Sequence, residues 1–86
     1  MNTKDRLEYA VLDVSKYLDK KWNYLAMDAD GEFWMFDTKP KINSINNSWC
    51  VDKGEENEEL VLNLPYKGDW KDSLVDIKYV MGESDD

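Results

Sequence analysis

The chain contains no histidine, a single cysteine, two prolines and four glycines among its 86 residues. Without histidine it lacks the commonest general base near neutral pH, and with it the usual Ser/His and Cys/His nucleophilic arrangements. Cys50 by itself forms no intramolecular disulfide, so nothing calls for an oxidising compartment, and the cytoplasm is the expected location. Between Trp49 and Val51 it reads as a small hydrophobe, not an activated thiolate. The few glycines build no phosphate loop, since neither Gly31 nor Gly54 is followed by Gly-Lys-Ser/Thr. Met1 to Arg6 has no signal-peptide apolar stretch, and no run approaches the roughly eighteen apolar residues of a membrane span.

Positive charge is also scarce. Eleven Lys and Arg stand against nineteen Asp and Glu, a net charge of -8, and the pI is near 4.4. Phosphate backbones and anionic lipid both demand Lys and Arg, so direct nucleic-acid binding and membrane association are excluded as expectations.

What the chain does hold is unevenly distributed. From Asp52 onward eleven acidic residues face four Lys, whereas the first 51 residues carry eight acidic and seven basic side chains. Glu55, Glu56, Glu58 and Glu59 place four carboxylates in five positions, a density that requires water or a cationic partner around it.

Apolar periodicity supplies the architecture. Leu7, Ala10, Val11, Val14, Tyr17 and Leu18 recur at helical spacing and predict a helix from about Lys4 to Leu18 or Lys20. Thr3 is the expected N-cap, and Lys16, Lys20 and Lys21 gather at the C-terminal end. After Lys21 the period becomes two, and Asp28-Ala29-Asp30-Gly31 is rich in turn formers, so residues 22 to 37 read as a β-hairpin. The unbroken run Phe33 to Phe36 predicts a strand covered on both faces or offering one to a partner. Residues 39 to 48 read as a polar loop anchored by Ile42 and Ile45. Trp49 with Val51 starts a third strand, and Leu60, Leu62 and Leu64 alternate as a fourth that ends at Pro65. Asp69 caps a short helical turn, Val75, Ile77 and Tyr79 suggest a last strand, and the tail frays from about Gly82. Together these predict one α+β domain over residues 1 to 86, an N-terminal amphipathic helix packed on a small antiparallel sheet of three to five strands. Glu58, Glu59 and Lys78 guard the sheet edges.

Asp28, Asp30 and Glu32 alternate as calcium ligands do, but Gly31 follows Asp30 directly and the rest of the loop is missing, so a hairpin turn is the better reading and no metal site is expected. Acidic residues this numerous make accidental neighbours, and an enzyme would need a cleft that separates their pKa values. No cofactor is implied and catalysis is not expected. The composition favours an interaction protein: Trp70 as an aromatic anchor, rimmed by Glu55, Glu56, Glu58, Glu59, Asp69, Asp72 and Asp76, capturing a basic protein surface. A solvated acidic surface with no dedicated ligand is the plain alternative. A domain this small also gains buried area by forming a homodimer.

The pattern Trp22-x-Tyr24-x-Ala26-x-Asp28-x-Asp30-Gly31, followed by Trp34, Phe36, Lys39-Pro40, Trp49 and Trp70-Lys71-Asp72-Ser73-Leu74, resembles small accessory proteins encoded by phages and prophages. The likeness spans residues 22 to 74. It implies a host-cell setting in which acidic proteins of this size inhibit host defence by imitating nucleic-acid phosphates. The partner so implied is a basic host protein such as a nucleic-acid-binding enzyme. A small viral structural or assembly protein is the alternative.

Overall fold

The computed structural model describes residues 2–82; the tail expected to fray lies outside them beyond Gly82. Helix α1 spans Thr3–Ser15. Its cap is Asn2 rather than Thr3: the Asn2 side chain accepts from the Asp5 N–H at 2.8 Å. The Thr3 hydroxyl accepts instead from the Lys67 N–H at 2.8 Å, tying the helix start to a distant corner of the chain. The helix also stops earlier than the apolar spacing suggests. Ser15 Oγ donates to the Leu12 carbonyl at 2.7 Å, a local bond that competes with continued helix. Tyr17, counted in the apolar stripe, therefore lies beyond the helix and is 80% exposed, and no cation sits in the last turn.

Strands β1 (Tyr24–Met27) and β2 (Phe33–Phe36) form the expected hairpin, with Leu25 opposite Met35 and Ala26 opposite Trp34. Its turn is held by Gly31 N–H donating to the Asp28 carbonyl at 2.9 Å and by Gly31 at φ 91°, a left-handed conformation that glycine adopts without a Cβ penalty. Strand β3 (Lys41–Asn43) pairs with β4 (Ser48–Cys50) in a separate two-stranded sheet. The segment expected as a polar loop is thus largely a second hairpin. Asn43 Oδ1 accepts from the Ile45 and Asn46 N–H groups and Asn47 takes φ 54°, side-chain turn chemistry that polar composition alone does not separate from a loop. Ile45 anchors nothing, being 91% exposed.

Strand β5 is Asn57–Leu60 and β6 is Val75–Asp76, giving an antiparallel sheet in the order β5-β2-β1-β6. Two expectations change here. Glu58 and Glu59 are themselves in a strand, and of the leucine alternation expected to form one only Leu60 belongs to it, with Val61 and Leu62 exposed beyond it. The final strand stops after two residues, because Asp76 accepts from the Tyr79 N–H at 3.1 Å and caps a short helix, α2 (Ile77–Val80).

Strand alternation then builds a core on each side of the main sheet. Leu25, Phe33, Met35, Leu60 and Val75 pack with Leu7 and Val11 of α1, Trp22 and Ile77. Ala26 and Phe36 on the other side pack with Trp49, which brings in Tyr24, Trp34, Val51, Trp70 and Leu74. Phe33–Phe36 is therefore covered on both faces. No helix among the described residues is long and apolar enough to cross a membrane.

Candidate functional site

The residues singled out from the sequence fall in three places. Glu58 and Glu59 lie on β5, and Asp76 ends β6. These strands are the opposite edges of a four-stranded sheet, so at the usual strand spacing their backbones run about 14 Å apart. Asp69, Trp70 and Asp72 belong to the 3₁₀ turn Trp70–Asp72 and its cap, where Asp69 accepts from the Lys71 N–H at 2.9 Å.

On the β5 edge the strand geometry separates neighbours. Leu60 shares the α1-side core, and Glu58, two residues earlier, lies on the same face opposite Met35. Glu59 lies on the reverse face opposite Trp34. Lys21 Nζ sits 3.0 Å from the Glu56 carboxylate and 4.7 Å above the Trp22 ring. Its pKa is raised, chiefly by the Glu56 hydrogen bond and also by the charges of Glu56, Asp19 and Glu58. On the other face the Glu32 carboxyl is pushed up, first by Asp30 and then by Glu59. The indole Nε1 of Trp34, on that same face, is buried and close enough to the Glu32 carboxyl to oppose that rise, but it is not aligned for a full hydrogen bond.

The candidate metal trio does not converge. An Asp28 oxygen accepts from the Trp49 N–H at 2.8 Å, and one of Asp30 accepts from the Glu32 N–H at 2.9 Å. The first ties the turn to β4 and the second shapes the turn itself. Burial, partly offset by the Trp49 bond and reinforced by Asp30, raises the Asp28 pKa. Among the described residues no three His, Cys, Asp or Glu are placed to hold a metal ion. Cys50 is half-buried on β4 as a free thiol.

Trp70 is half-buried. It meets Trp49 edge-on, with ring centroids 6.3 Å apart at 90°. Its carbonyl accepts from Trp49 Nε1 at 3.2 Å and from Ser73 Oγ at 2.6 Å. Ser73, wholly buried, also accepts from the Met27 N–H at 2.8 Å. The residues behind the phage-like resemblance thus have structural work here: Trp22 and Ala26 in the cores, Asp28, Asp30 and Gly31 in the turn, Trp70 and Ser73 clasping β1.

A different feature gathers chemistry on the β6 side. An open groove of about 860 Å³ lies between α1, which contributes Asp5, Glu8, Tyr9 and Leu12, and the segment bearing Leu74, Asp76, Tyr79 and Val80. Asp76 alone was legible beforehand as a candidate. The α1 wall repeats at i, i+3, i+4 and i+7, so it was present in the sequence as a second stripe beside the core stripe of Leu7 and Val11. Its mixture of carboxylates and large apolar groups hid it from a search for apolar periodicity.

No protein-family model, curated protein or solved structure matches this chain. Function therefore rests on the geometry.

Proposed function

We propose that the protein is an acidic interaction module that captures a basic surface of another protein. The observation that carries this reading is the surplus of carboxylates without cations. The ion pairs among the described residues are Lys16–Asp13, Lys21–Glu56 and Lys41–Asp52, which leaves Asp5, Glu8, Glu55, Glu58, Glu59, Asp69, Asp72 and Asp76 outside any of them. Such a surface steers a cationic partner, raises the encounter rate and weakens as salt screens it. With the phage-like resemblance, the preferred target is a nucleic-acid-binding enzyme in the host cytoplasm, inhibited stoichiometrically when the acidic protein occupies its basic channel. Binding of this kind needs no cofactor and no catalytic group.

Affinity capture from host lysate at low and moderate salt tests the proposal, with E55K/E56K/E58K/E59K and D5N/E8Q/D76N as controls. A basic protein retained by the unaltered chain, lost with one of the variants and weakened by salt is the expected result. Identical retention by all three at every salt concentration, or self-assembly in place of capture, would sink it in favour of an assembly role.

A further inference from the structure

We infer that the α1–α2 groove is the docking site, and that its occupant is an Arg- or Lys-bearing segment of the partner protein with an apolar residue beside the cation; this rests on the interaction reading above. Three large side chains in this groove face solvent when they would ordinarily help a small core: Tyr9 is 62% exposed, Tyr79 61% and Leu12 43%. Asp5, Glu8 and Asp76 share the groove with them, and among the described residues no Lys or Arg lines it. Of the cations next to it in sequence, Arg6 stands outside its lining and the other two are engaged elsewhere. Lys4 Nζ donates to the Asp72 carbonyl at 3.0 Å, and Lys78 Nζ donates to the Lys20 carbonyl at 3.1 Å.

Charge complementarity selects the occupant. A purely apolar segment would cover the carboxylates and strip their water with nothing in return. A second copy docked groove to groove would bring three carboxylates from each chain together. A guanidinium or ammonium answers both problems, because it pairs with carboxylates and is also attracted to the faces of Tyr9 and Tyr79. Its apolar neighbour completes the fit against Leu12, an aromatic and aliphatic centre with a charged rim. The β5 end has a smaller groove of about 400 Å³ in which Glu32 and Glu59 meet Val61 and Leu62, but its one ring, Phe33, is buried, so no aromatic face is open there to a cation.

The test is NMR shift mapping on the ¹⁵N-labelled full chain with three probes: an amphipathic Arg/Leu peptide, a Glu/Leu peptide of the same length, and spermidine. The Arg/Leu peptide is expected to perturb Asp5, Glu8, Tyr9, Leu12, Asp76 and Tyr79. D5N/E8Q/D76N should weaken it by about tenfold or more, with α2 intact because Asn caps as well as Asp. Y9A/Y79A, which removes exposed side chains, should weaken it too, whereas E58Q/E59Q should leave it unchanged. Perturbation confined to Asn57–Leu60 would overturn the groove and leave the basic-partner reading standing. Absence of any shift with the Arg/Leu peptide at low salt would overturn both. Equal response to the Glu/Leu peptide, to spermidine, or to protein concentration alone would replace the inferred occupant with an apolar ligand, a simple cation or a second copy.

Discussion

Glu58 and Glu59 are adjacent in the chain yet lie on opposite faces of the sheet, Glu58 across from Met35 on the α1 side and Glu59 across from Trp34 on the reverse. A strand turns each successive side chain over, so a glutamate run that looks like one acidic patch becomes two half-patches in different electrostatic company.

Reversing the two charges should have opposite effects. Glu59→Lys removes a repulsion felt by Glu32, so the Glu32 carboxyl should titrate at lower pH and the melting temperature should rise. Glu58→Lys sets a cation near Lys21 and should lower both the Lys21 pKa and the melting temperature. Carboxyl and ammonium NMR titrations with thermal unfolding read both. Identical shifts from the two reversals would mean that the residues share a face.

Ser73 Oγ and Trp49 Nε1 donate to the same two carbonyls, those of Met27 and Trp70. Ser73→Ala additionally leaves the partly buried Met27 N–H without its acceptor and should cost about 1–3 kcal/mol. Trp49→Phe keeps a ring but loses the donor, at about 1 kcal/mol. Because the acceptors are shared, the double variant should deviate from additivity by roughly 0.5 kcal/mol or more. Chemical denaturation of the four proteins gives the cycle, and strict additivity would show the two donors to be independent.

Asp28 is held above the ordinary aspartate range by burial, so its folded pKa exceeds its unfolded one. Such a group contributes stability that is complete below the unfolded pKa and is lost as pH rises through the folded value. Asp28→Asn keeps an oxygen for the Trp49 N–H and carries no charge. It should match or exceed the parent in stability at neutral pH, and that advantage should vanish in acid. Asp28→Ala, without the acceptor, should be less stable at both, by about 1–2 kcal/mol. Denaturant midpoints at neutral and acidic pH decide; an Asn variant weaker than the parent at neutral pH refutes the assignment.

A Cβ on Gly68 would lie 2.6 Å from Tyr66 Oη and 3.1 Å from Thr3 Cγ2. Gly68→Ala should push the Tyr66 ring outward, break its 2.6 Å hydrogen bond to the Asp69 carbonyl and loosen the Thr3–Lys67 tie, at about 1 kcal/mol. Burial, with Asp72 and Asp69, raises the Tyr66 phenol pKa, so ultraviolet titration should find that phenol titrating lower in the variant. An unchanged phenol would mean that the ring had not moved.

Local pattern carried much of the fold. The 3- and 4-residue recurrence of Leu7 and Val11 announced α1, and the period-two run after Lys21 with Gly31 at its centre announced the first hairpin. The same reasoning misplaced β5, because Leu60, Leu62 and Leu64 alternate more cleanly than Asn57–Leu60 does. Pairing with β2 outweighs that local preference: Leu60 reaches the core and carries three polar residues into the sheet with it. Asp76 likewise continued an apparent strand until its side chain found the Tyr79 N–H.

By itself, then, the sequence determined the α+β composition, the first helix and hairpin, and the acidic balance, since each follows from spacing within a few residues or from a sum over the chain. Only the tertiary structure decided that Glu58 and Glu59 lie at the opposite sheet edge from Asp76, and that Asp5, Glu8 and Tyr9 meet Asp76 and Tyr79 across a groove. Those relations join residues from about twenty to about seventy positions apart, and they are set by strand order and helix docking, which depend on the packing of both cores at once.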